Sequence, residues 1–340
     1  MGRFRALLVV MVLAAAAGCS SDDTGDVAQS DIAAVSSSTS TPSTSSTTTT
    51  LPPERDYAVG EHKVELVDPT RPTAAAPNRG LPERSERTIP LLVLYPAEGE
   101  PDADVTVIKD APVAEGEFPL VVFSHGVTAT GDLYLGLLSR WAKEGYIIAA
   151  PTFPLTSGPG AGINDYANQP DDVRFVLDEV LLRSDEPDHL LHDHIDEERI
   201  AIAGHSLGAV TTIGAAFNAC CRDERIDAAI EISGIEVPFP EGSYDDWPDV
   251  PLLAIHGEKD GTVPFGGSEA LIAKAPPPSY FLRFPDGGHS DVLGGPSGDV
   301  LDEVVLAFLD RYLKDDPRGL EEVPDEVAAS GLASLEINES

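Results

Sequence analysis

The segment Gly204-His205-Ser206-Leu207-Gly208 lies where a predicted strand over residues 199–203 meets a predicted helix over residues 207–219. A serine with glycine two residues away on either side is typical of a very sharp turn, in which small neighbours avoid clashes. The pattern alone is weak, because a tight turn without chemistry has the same composition. Its position at a strand-to-helix junction favours a nucleophilic serine at the end of a buried strand.

Short apolar segments alternate with helical patterns along most of the chain. The predicted strands cover residues 62–67, 88–95, 119–123, 146–150, 199–203, 228–232, 251–256 and 280–284. The predicted helices cover residues 133–145, 171–183, 207–219, 268–275 and 299–313. This alternation predicts the α/β class, with a mostly parallel, doubly wound central sheet of about eight strands flanked by helices. We expect the first two strands to form an antiparallel edge.

The first residues predict export from the cytoplasm. A basic start precedes apolar residues 6–17, a run shorter than the roughly 20 residues that span a bilayer, so residues 1–18 fit a signal peptide. Small residues precede Cys19 as in a bacterial lipobox, although Ala16 stands where leucine is usual. We expect Cys19 to be the lipidated mature N-terminus, with ordinary cleavage after Ala17 as the alternative. The protein is then extracytoplasmic, at a bacterial cell surface, and either lipid-anchored or secreted.

The composition of the remaining chain predicts a linker, a folded domain and a tail. Residues 19–55 are rich in Ser, Thr and Pro and bury little apolar surface, so we expect a disordered linker. A folded domain over residues 56–316 follows, and the acidic residues 317–340 are expected to form a loose tail. A net charge of −36 at pH 7 excludes nucleic acid as a partner and leaves the lipid anchor as the membrane contact. The neighbouring Cys220 and Cys221 are open to two interpretations, a disulfide or two packed thiols.

A nucleophilic serine needs a base, and the base needs an acid that holds its tautomer. In the strand–turn–helix setting the acid and the base follow the serine along the chain, which leaves His256 and His289 as candidates for the base. We favour His289, because it lies in a glycine-rich loop after the last predicted strand. For the acid we favour Asp260, four residues past a strand end, over the neighbouring Glu258 and over Asp286 and Asp291, which flank the histidine.

Attack on a carbonyl creates an oxyanion that needs preorganised N–H donors. Leu207 supplies one at the start of its helix, where backbone donors are free. We assign the second to Val127, after Gly126 in the loop behind the strand over 119–123. Thr128 and Phe153, on adjacent loops, are candidates for contacts with the substrate.

Metal chemistry is not predicted. Residues 188–194 contain three histidines and two aspartates, but their composition is that of a solvated loop rather than of a converging ligand set. We therefore expect neither a metal nor another cofactor.

Four motifs together resemble the α/β-hydrolase superfamily: residues 119–126, the pentapeptide around Ser206, residues 256–260 and residues 288–289. Residues 60–313 are similar to bacterial dienelactone-hydrolase-like proteins and to platelet-activating-factor acetylhydrolases. The resemblance implies hydrolysis of carboxylic esters without a metal or cofactor. Dienelactone hydrolase carries a cysteine where this chain has Ser206, so lactone chemistry is not expected.

The expected reaction is cleavage of small-molecule or lipid-like esters, short-chain above all, through an acyl-enzyme. Residues 232–249 are too few for a large helical lid, so we expect a minimal lid, a small aromatic flap with Phe239, Tyr244 and Trp247. Alternatives on the same fold are a lipase or phospholipase, a polyester hydrolase, a peptidase or an acyltransferase. An alternative of another class is a surface lipoprotein that binds lipids or partners and keeps a vestigial site.

Overall fold

The computed structural model describes residues 56–102 and 105–339. The predicted signal peptide 1–18, the predicted lipidation site Cys19 and the predicted linker 19–55 lie outside the described residues. Among the helices that are described, none combines the length and the apolar character needed to cross a membrane.

A mixed sheet of ten strands runs through the described residues, in the order β10-β9-β8-β7-β6-β4-β5-β2-β1-β3. Its strands are β1 (Ala58–Asp68), β2 (Arg87–Ala97), β3 (Val107–Lys109), β4 (Phe118–Ser124), β5 (Ile147–Pro151), β6 (Ile195–His205), β7 (Ala228–Ile232), β8 (Leu252–Gly257), β9 (Ser279–Phe284) and β10 (Ser334–Asn338). Strands β4 to β9 are mutually parallel. Strands β1 and β2 form the predicted antiparallel edge, and β2 runs antiparallel to β5.

Helices cover both faces of the sheet. They are α1 (Leu135–Lys143), α2 (Gln169–Ser184), α3 (Leu207–Phe217), α4 (Gly266–Ile272), α5 (Gly295–Leu313) and α6 (Arg318–Ser330). Successive residues of a strand point to opposite faces, so Val121 of β4 packs in the core with α1, α5 and α6, whereas Val122 packs in the core with α2, α3 and α4.

The predicted α/β class with a mostly parallel sheet is confirmed, but the sheet has ten strands rather than about eight. The two strands that sequence analysis missed are the edge strands β3 and β10. An edge strand pairs on one side only and buries little surface, so it needs no apolar pattern. Strand β3 has three residues, and four of the five residues of β10 are exposed.

The strand order reverses at β4, because β5 lies on one side of it and β6 on the other. Loops that leave the carboxyl ends of β4 and β6 therefore run apart and open a crevice, which is where ligands bind in sheets of this kind. Val127 follows β4 and Ser206 follows β6. The topology places both residues at the same edge of the sheet.

The expectation of a loose tail after residue 316 is wrong. Residues 318–330 form α6, which buries Leu320, Val323 and Val327 in the core that contains α5. Strand β10 then pairs antiparallel with β9. Leu320, Val323 and Val327 form an apolar stripe at helical spacing, and the acidic residues between them make this pattern hard to recognise in the sequence.

Replacing Leu320 by alanine is expected to lower the free energy of unfolding by about 2–3 kcal/mol, because the truncation leaves a cavity between α5 and α6. Urea denaturation followed by circular dichroism measures this change. The matched control is Leu332→Ala, at a position with 39% of the side chain exposed, which should change stability by less than about 0.5 kcal/mol. Equal effects of the two substitutions would show that α6 does not contribute to the core.

The connection between β7 and β8, residues 233–251, contains no helix. Phe239 is buried and packs on Tyr166, with ring centroids 5.3 Å apart. Trp247 stacks on Phe217 with centroids 4.5 Å apart. The aromatic residues expected in a small flap thus pack down on the domain and leave the carboxyl edge of the sheet open.

The adjacent cysteines, open to two interpretations from sequence, are joined by a disulfide. Cys221 is buried in an apolar cluster with Val210 and Phe239. The N–H of Ala219 donates to the carbonyl oxygen of Ser243 at 2.9 Å. The disulfide therefore lies where the chain after α3 meets the connection between β7 and β8.

Candidate active site

Ser206 occupies a strained turn between β6 and α3. Its φ is 59° and its ψ is −119°, a backbone conformation that residues with a side chain rarely adopt. A Cβ added to Gly204 would lie 2.3 Å from the carbonyl oxygen of Gly208. A Cβ added to Gly208 would lie 1.9 Å from the carbonyl oxygen of Ser124 at the end of β4. Both glycines are therefore required for the turn that presents Ser206 at the sheet edge.

The three residues predicted as nucleophile, base and acid come together in one hydrogen-bonded chain. Nε2 of His289 lies 2.8 Å from Oγ of Ser206. Nδ1 of His289 lies 2.7 Å from Oδ2 of Asp260. Because a carboxylate accepts hydrogen bonds, Nδ1 carries the proton and Nε2 is left to accept the hydroxyl proton of Ser206.

Asp260 is held as a carboxylate. Its other oxygen, Oδ1, accepts hydrogen bonds from the N–H groups of Thr262 at 2.7 Å and Val263 at 2.9 Å. Burial alone would raise the pKa of Asp260, but the hydrogen bond from His289 and the two backbone donors lower it below its ordinary value. The acid therefore stays ionised and orients His289 at neutral pH.

A second set of hydrogen bonds, not foreseen from sequence, links the histidine loop to the loop after β4. Nε2 of His205 lies 3.0 Å from the carbonyl oxygen of His289, and its Nδ1 lies 2.9 Å from the hydroxyl of Tyr134. That hydroxyl accepts the N–H of Gly126 at 3.1 Å. Burial lowers the pKa of His205 to about 4, so the neutral ring donates to His289 and accepts from Tyr134. No local sequence signal marks Tyr134, because it lies 71 positions from His205.

The two predicted oxyanion donors flank the serine. Leu207 is the first residue of α3, and Val127 follows Gly126, whose added Cβ would lie 3.2 Å from Cβ of Ser206. In the part of the chain that the structure describes, neither the N–H of Leu207 nor that of Val127 has an acceptor. Both are available for an oxygen that develops negative charge beside Ser206.

The two candidates for substrate contact lie outside the cleft wall. Phe153 is fully buried, and its N–H donates to Nε2 of His125 at 3.0 Å. Thr128 is exposed but donates its N–H to the carbonyl oxygen of Thr156 at 2.7 Å. Hydrogen bonds thus join the loops after β4 and β5, and neither residue lines the cleft beside Ser206. His125 has a structural role, because burial lowers its pKa to about 4 and its ring is hydrogen-bonded on both sides.

A cleft of about 520 Å³ opens beside Ser206 and His289. Its wall is mainly apolar, with one cation at Arg140; the apolar side chains are those of Val127, Ala129, Leu133, Leu137 and Leu293. Leu133 is the first residue of the helix predicted over residues 133–145, but 74% of it is exposed. The sequence predicted a helix here, and only the fold shows that Leu133 faces the cleft.

A strained serine between a parallel strand and a helix, a histidine and an acid from later loops, and a sheet with this strand order define the α/β-hydrolase fold. The chain has this α/β-hydrolase fold, as the sequence motifs predicted.

The comparisons agree with this assignment. The chlorophyllase family model matches residues 91–236. The chain is 26% identical over 233 residues to dipeptidyl-peptidase 5 of Aspergillus fumigatus, covering 58% of this chain and 32% of that protein. It is 24% identical over 193 residues to the platelet-activating factor acetylhydrolase of Canis lupus familiaris, covering 44% of this chain and 42% of that protein. Less than half of each of these two relatives is therefore matched.

A ferulic acid esterase from Streptomyces cinnamoneus has a similar structure, with a TM-score of 0.61 and 22% sequence identity. The alignment covers 85% of this chain and 98% of the esterase. At this level of identity the likeness shows the shared fold.

Proposed function

We propose that the protein is a serine hydrolase that cleaves carboxylic esters through an acyl-enzyme. The observation that carries the proposal is the unbroken chain from Ser206 through His289 to Asp260, with hydrogen bonds of 2.8 and 2.7 Å. Esters are favoured because the related proteins include an esterase and an acetylhydrolase. The reaction needs no metal or other cofactor, since each step uses groups of the chain itself.

In the first half of the reaction, Oγ of Ser206 attacks the ester carbonyl while Nε2 of His289 takes the hydroxyl proton. Asp260 stabilises the imidazolium that forms. The N–H groups of Val127 and Leu207 bind the oxyanion, and His289 then gives its proton to the departing alcohol oxygen. Water repeats the sequence on the acyl-enzyme and releases the acid.

The open, mainly apolar cleft favours esters with short acyl groups. Residues 233–251 form no helical lid, so a long chain would remain largely in water and add little binding energy. A lipase or phospholipase and a polyester hydrolase are the alternatives on the same fold. A peptidase is a further alternative, since one relative is a dipeptidyl-peptidase.

A fluorophosphonate probe and p-nitrophenyl esters of increasing acyl length test the proposal. The probe is expected to label the wild type and not Ser206→Ala, while Ser290→Ala, which changes another serine of the cleft, keeps its label. Hydrolysis should fall with acyl length. A folded wild type without label would refute the serine mechanism, and faster cleavage of long esters or of dipeptidyl p-nitroanilides would assign the protein to the lipases or the peptidases.

Export and anchoring belong to the same proposal. We infer from the sequence that the protein acts outside the cytoplasm and is held at the cell surface through a lipid on Cys19, with residues 19–55 as a spacer. Metabolic labelling with a fatty-acid analogue is expected to mark the wild type and not Cys19→Ala. Unlabelled wild-type protein in the culture medium would instead indicate simple secretion.

A further inference from the structure

Behind Asp260, on the side away from the cleft, a row of buried polar side chains leads to a carboxyl group that the proposed mechanism does not use. Nε2 of His256 lies 3.1 Å from Oδ2 of Asp260. Nδ1 of His256 lies 2.7 Å from Oγ of Ser268, and that Oγ lies 2.5 Å from Oε1 of Glu231. Glu231, Ser268 and His256 are all fully buried. The row therefore connects Glu231 to the hydrogen bond that orients His289.

The acceptors around His256 determine where its proton lies. Nε2 faces two oxygens, Oδ2 of Asp260 and the carbonyl oxygen of Val263 at 3.3 Å. Both oxygens accept hydrogen bonds, so Nε2 carries a proton. Burial lowers the pKa of His256, which makes the ring neutral and leaves Nδ1 as an acceptor. The hydroxyl of Ser268 must then donate to Nδ1.

The single proton of the Ser268 hydroxyl also determines the protonation of Glu231. A hydroxyl has one proton, so a Ser268 that donates to His256 has none left for Glu231. The oxygen contact of 2.5 Å then requires Glu231 to be the donor, as a neutral acid. Its other oxygen, Oε2, accepts the N–H of Gly234 at 2.8 Å. Burial raises the pKa of Glu231 to about 7, although hydrogen bonds to Ser268 and Gly234 act in the opposite direction and lower it.

We propose that Glu231 is a positioning residue for the serine hydrolase reaction: as a neutral acid it donates to Ser268, which donates to His256 and holds that ring as the tautomer whose Nε2–H binds Asp260. The inference rests on the proposed function. Asp260 then accepts two N–H groups at Oδ2, one from His256 and one from His289. When Glu231 loses its proton, the Ser268 hydroxyl turns toward the carboxylate and no longer supports the Nε2–H tautomer. Activation of Ser206 should therefore weaken as Glu231 ionises.

Few other charged groups approach Glu231. Helix α3, which packs against β7, contains no titratable side chain. Strand β8 contributes His256, and Asp260 lies beyond it. Helix α4 contributes Glu269, which pairs with Arg283 of β9 at 3.8 Å. The guanidinium of Arg283 also lies over the ring of Phe281 at 4.6 Å. Glu269 and Arg283 therefore interact with partners other than Glu231.

The rate at which a fluorophosphonate labels Ser206 tests the inference without knowledge of the natural ester. Glu231→Gln keeps a donor toward Ser268, because the amide N–H replaces the acid O–H, and it does not ionise. The ratio of the labelling rate of this variant to that of the wild type is expected to be near one at about pH 6 and to rise about tenfold by about pH 9. A ratio that does not change with pH would overturn the inference.

Two further variants separate positioning from a structural role. Ser268→Ala removes the hydroxyl that joins Glu231 to His256 but leaves the contact between Glu231 and Gly234. It should therefore lower the labelling rate and remove the titration of Glu231 from the pH profile. It also serves as the test if Glu231→Gln does not fold. In a His256→Leu background, Glu231→Gln should have no further effect on the pH profile. An undiminished effect would show that Glu231 does not act through His256. Absence of labelling in the folded wild type overturns the proposed function and this inference together, whereas normal labelling with unchanged profiles overturns the inference alone.

Discussion

Replacing Ser206 by alanine is expected to reduce kcat/KM for a p-nitrophenyl ester by about five powers of ten. The substitution removes the only atom of the protein that bonds to the acyl carbon in the proposed mechanism. His289→Ala should cost a similar factor, because Oγ of Ser206 then loses the base that lies 2.8 Å away. The double variant should be no slower than either single variant, since the two residues act as one unit.

Steady-state kinetics on the purified single and double variants measure these factors. Circular dichroism and thermal melting show whether each variant is folded, and Ser290→Ala controls for the loss of any hydroxyl in the cleft. The residual activity of the variants comes from binding and from the donors at Val127 and Leu207. Losses of the two single variants that multiply in the double variant would mean that Ser206 and His289 do not work together.

Replacing Gly208 by alanine is expected to destabilise the fold by about 3 kcal/mol or more, among the largest effects of a single methyl group. The new Cβ would lie 1.9 Å from the carbonyl oxygen of Ser124 and 2.9 Å from that of His125. Both contacts are with backbone, which has no rotamer to change. Relief requires the loop after β4 to move away from α3, so the donor at Val127 would shift and the hydrolysis rate would fall as well.

Gly136→Ala is the matched control for this substitution. Gly136 lies in α1, and the nearest atom to an added Cβ is Nη1 of Arg140 at 4.0 Å, at the end of a flexible side chain. Alanine should stabilise the helix there by about 0.5 kcal/mol. Urea denaturation of both variants gives the comparison. An unchanged free energy of unfolding in Gly208→Ala would show that the loops after β4 and β6 are not closely packed.

The sequence by itself determined the features that depend on local pattern and chain order. Strand and helix periods run over a few residues, so they predicted the parallel sheet and its antiparallel edge. The pentapeptide around Ser206 marks a turn that only small neighbours permit. Chain order and loop position then selected Asp260 and His289, which the structure joins to Ser206.

Tertiary structure alone decided which distant residues meet and which side chains are buried. Leu133 and Phe153 show this most clearly, because the exposed leucine lines the cleft while the expected contact residue lies in the core. The burial of tail residues such as Val323 could not be predicted from the sequence, because acidic residues separate the few apolar residues of this short helix. The protonation expected of Glu231 follows from its burial beside Ser268, and no sequence period encodes burial of a lone acid. Such properties arise from contacts between residues far apart in the chain, which local pattern does not specify.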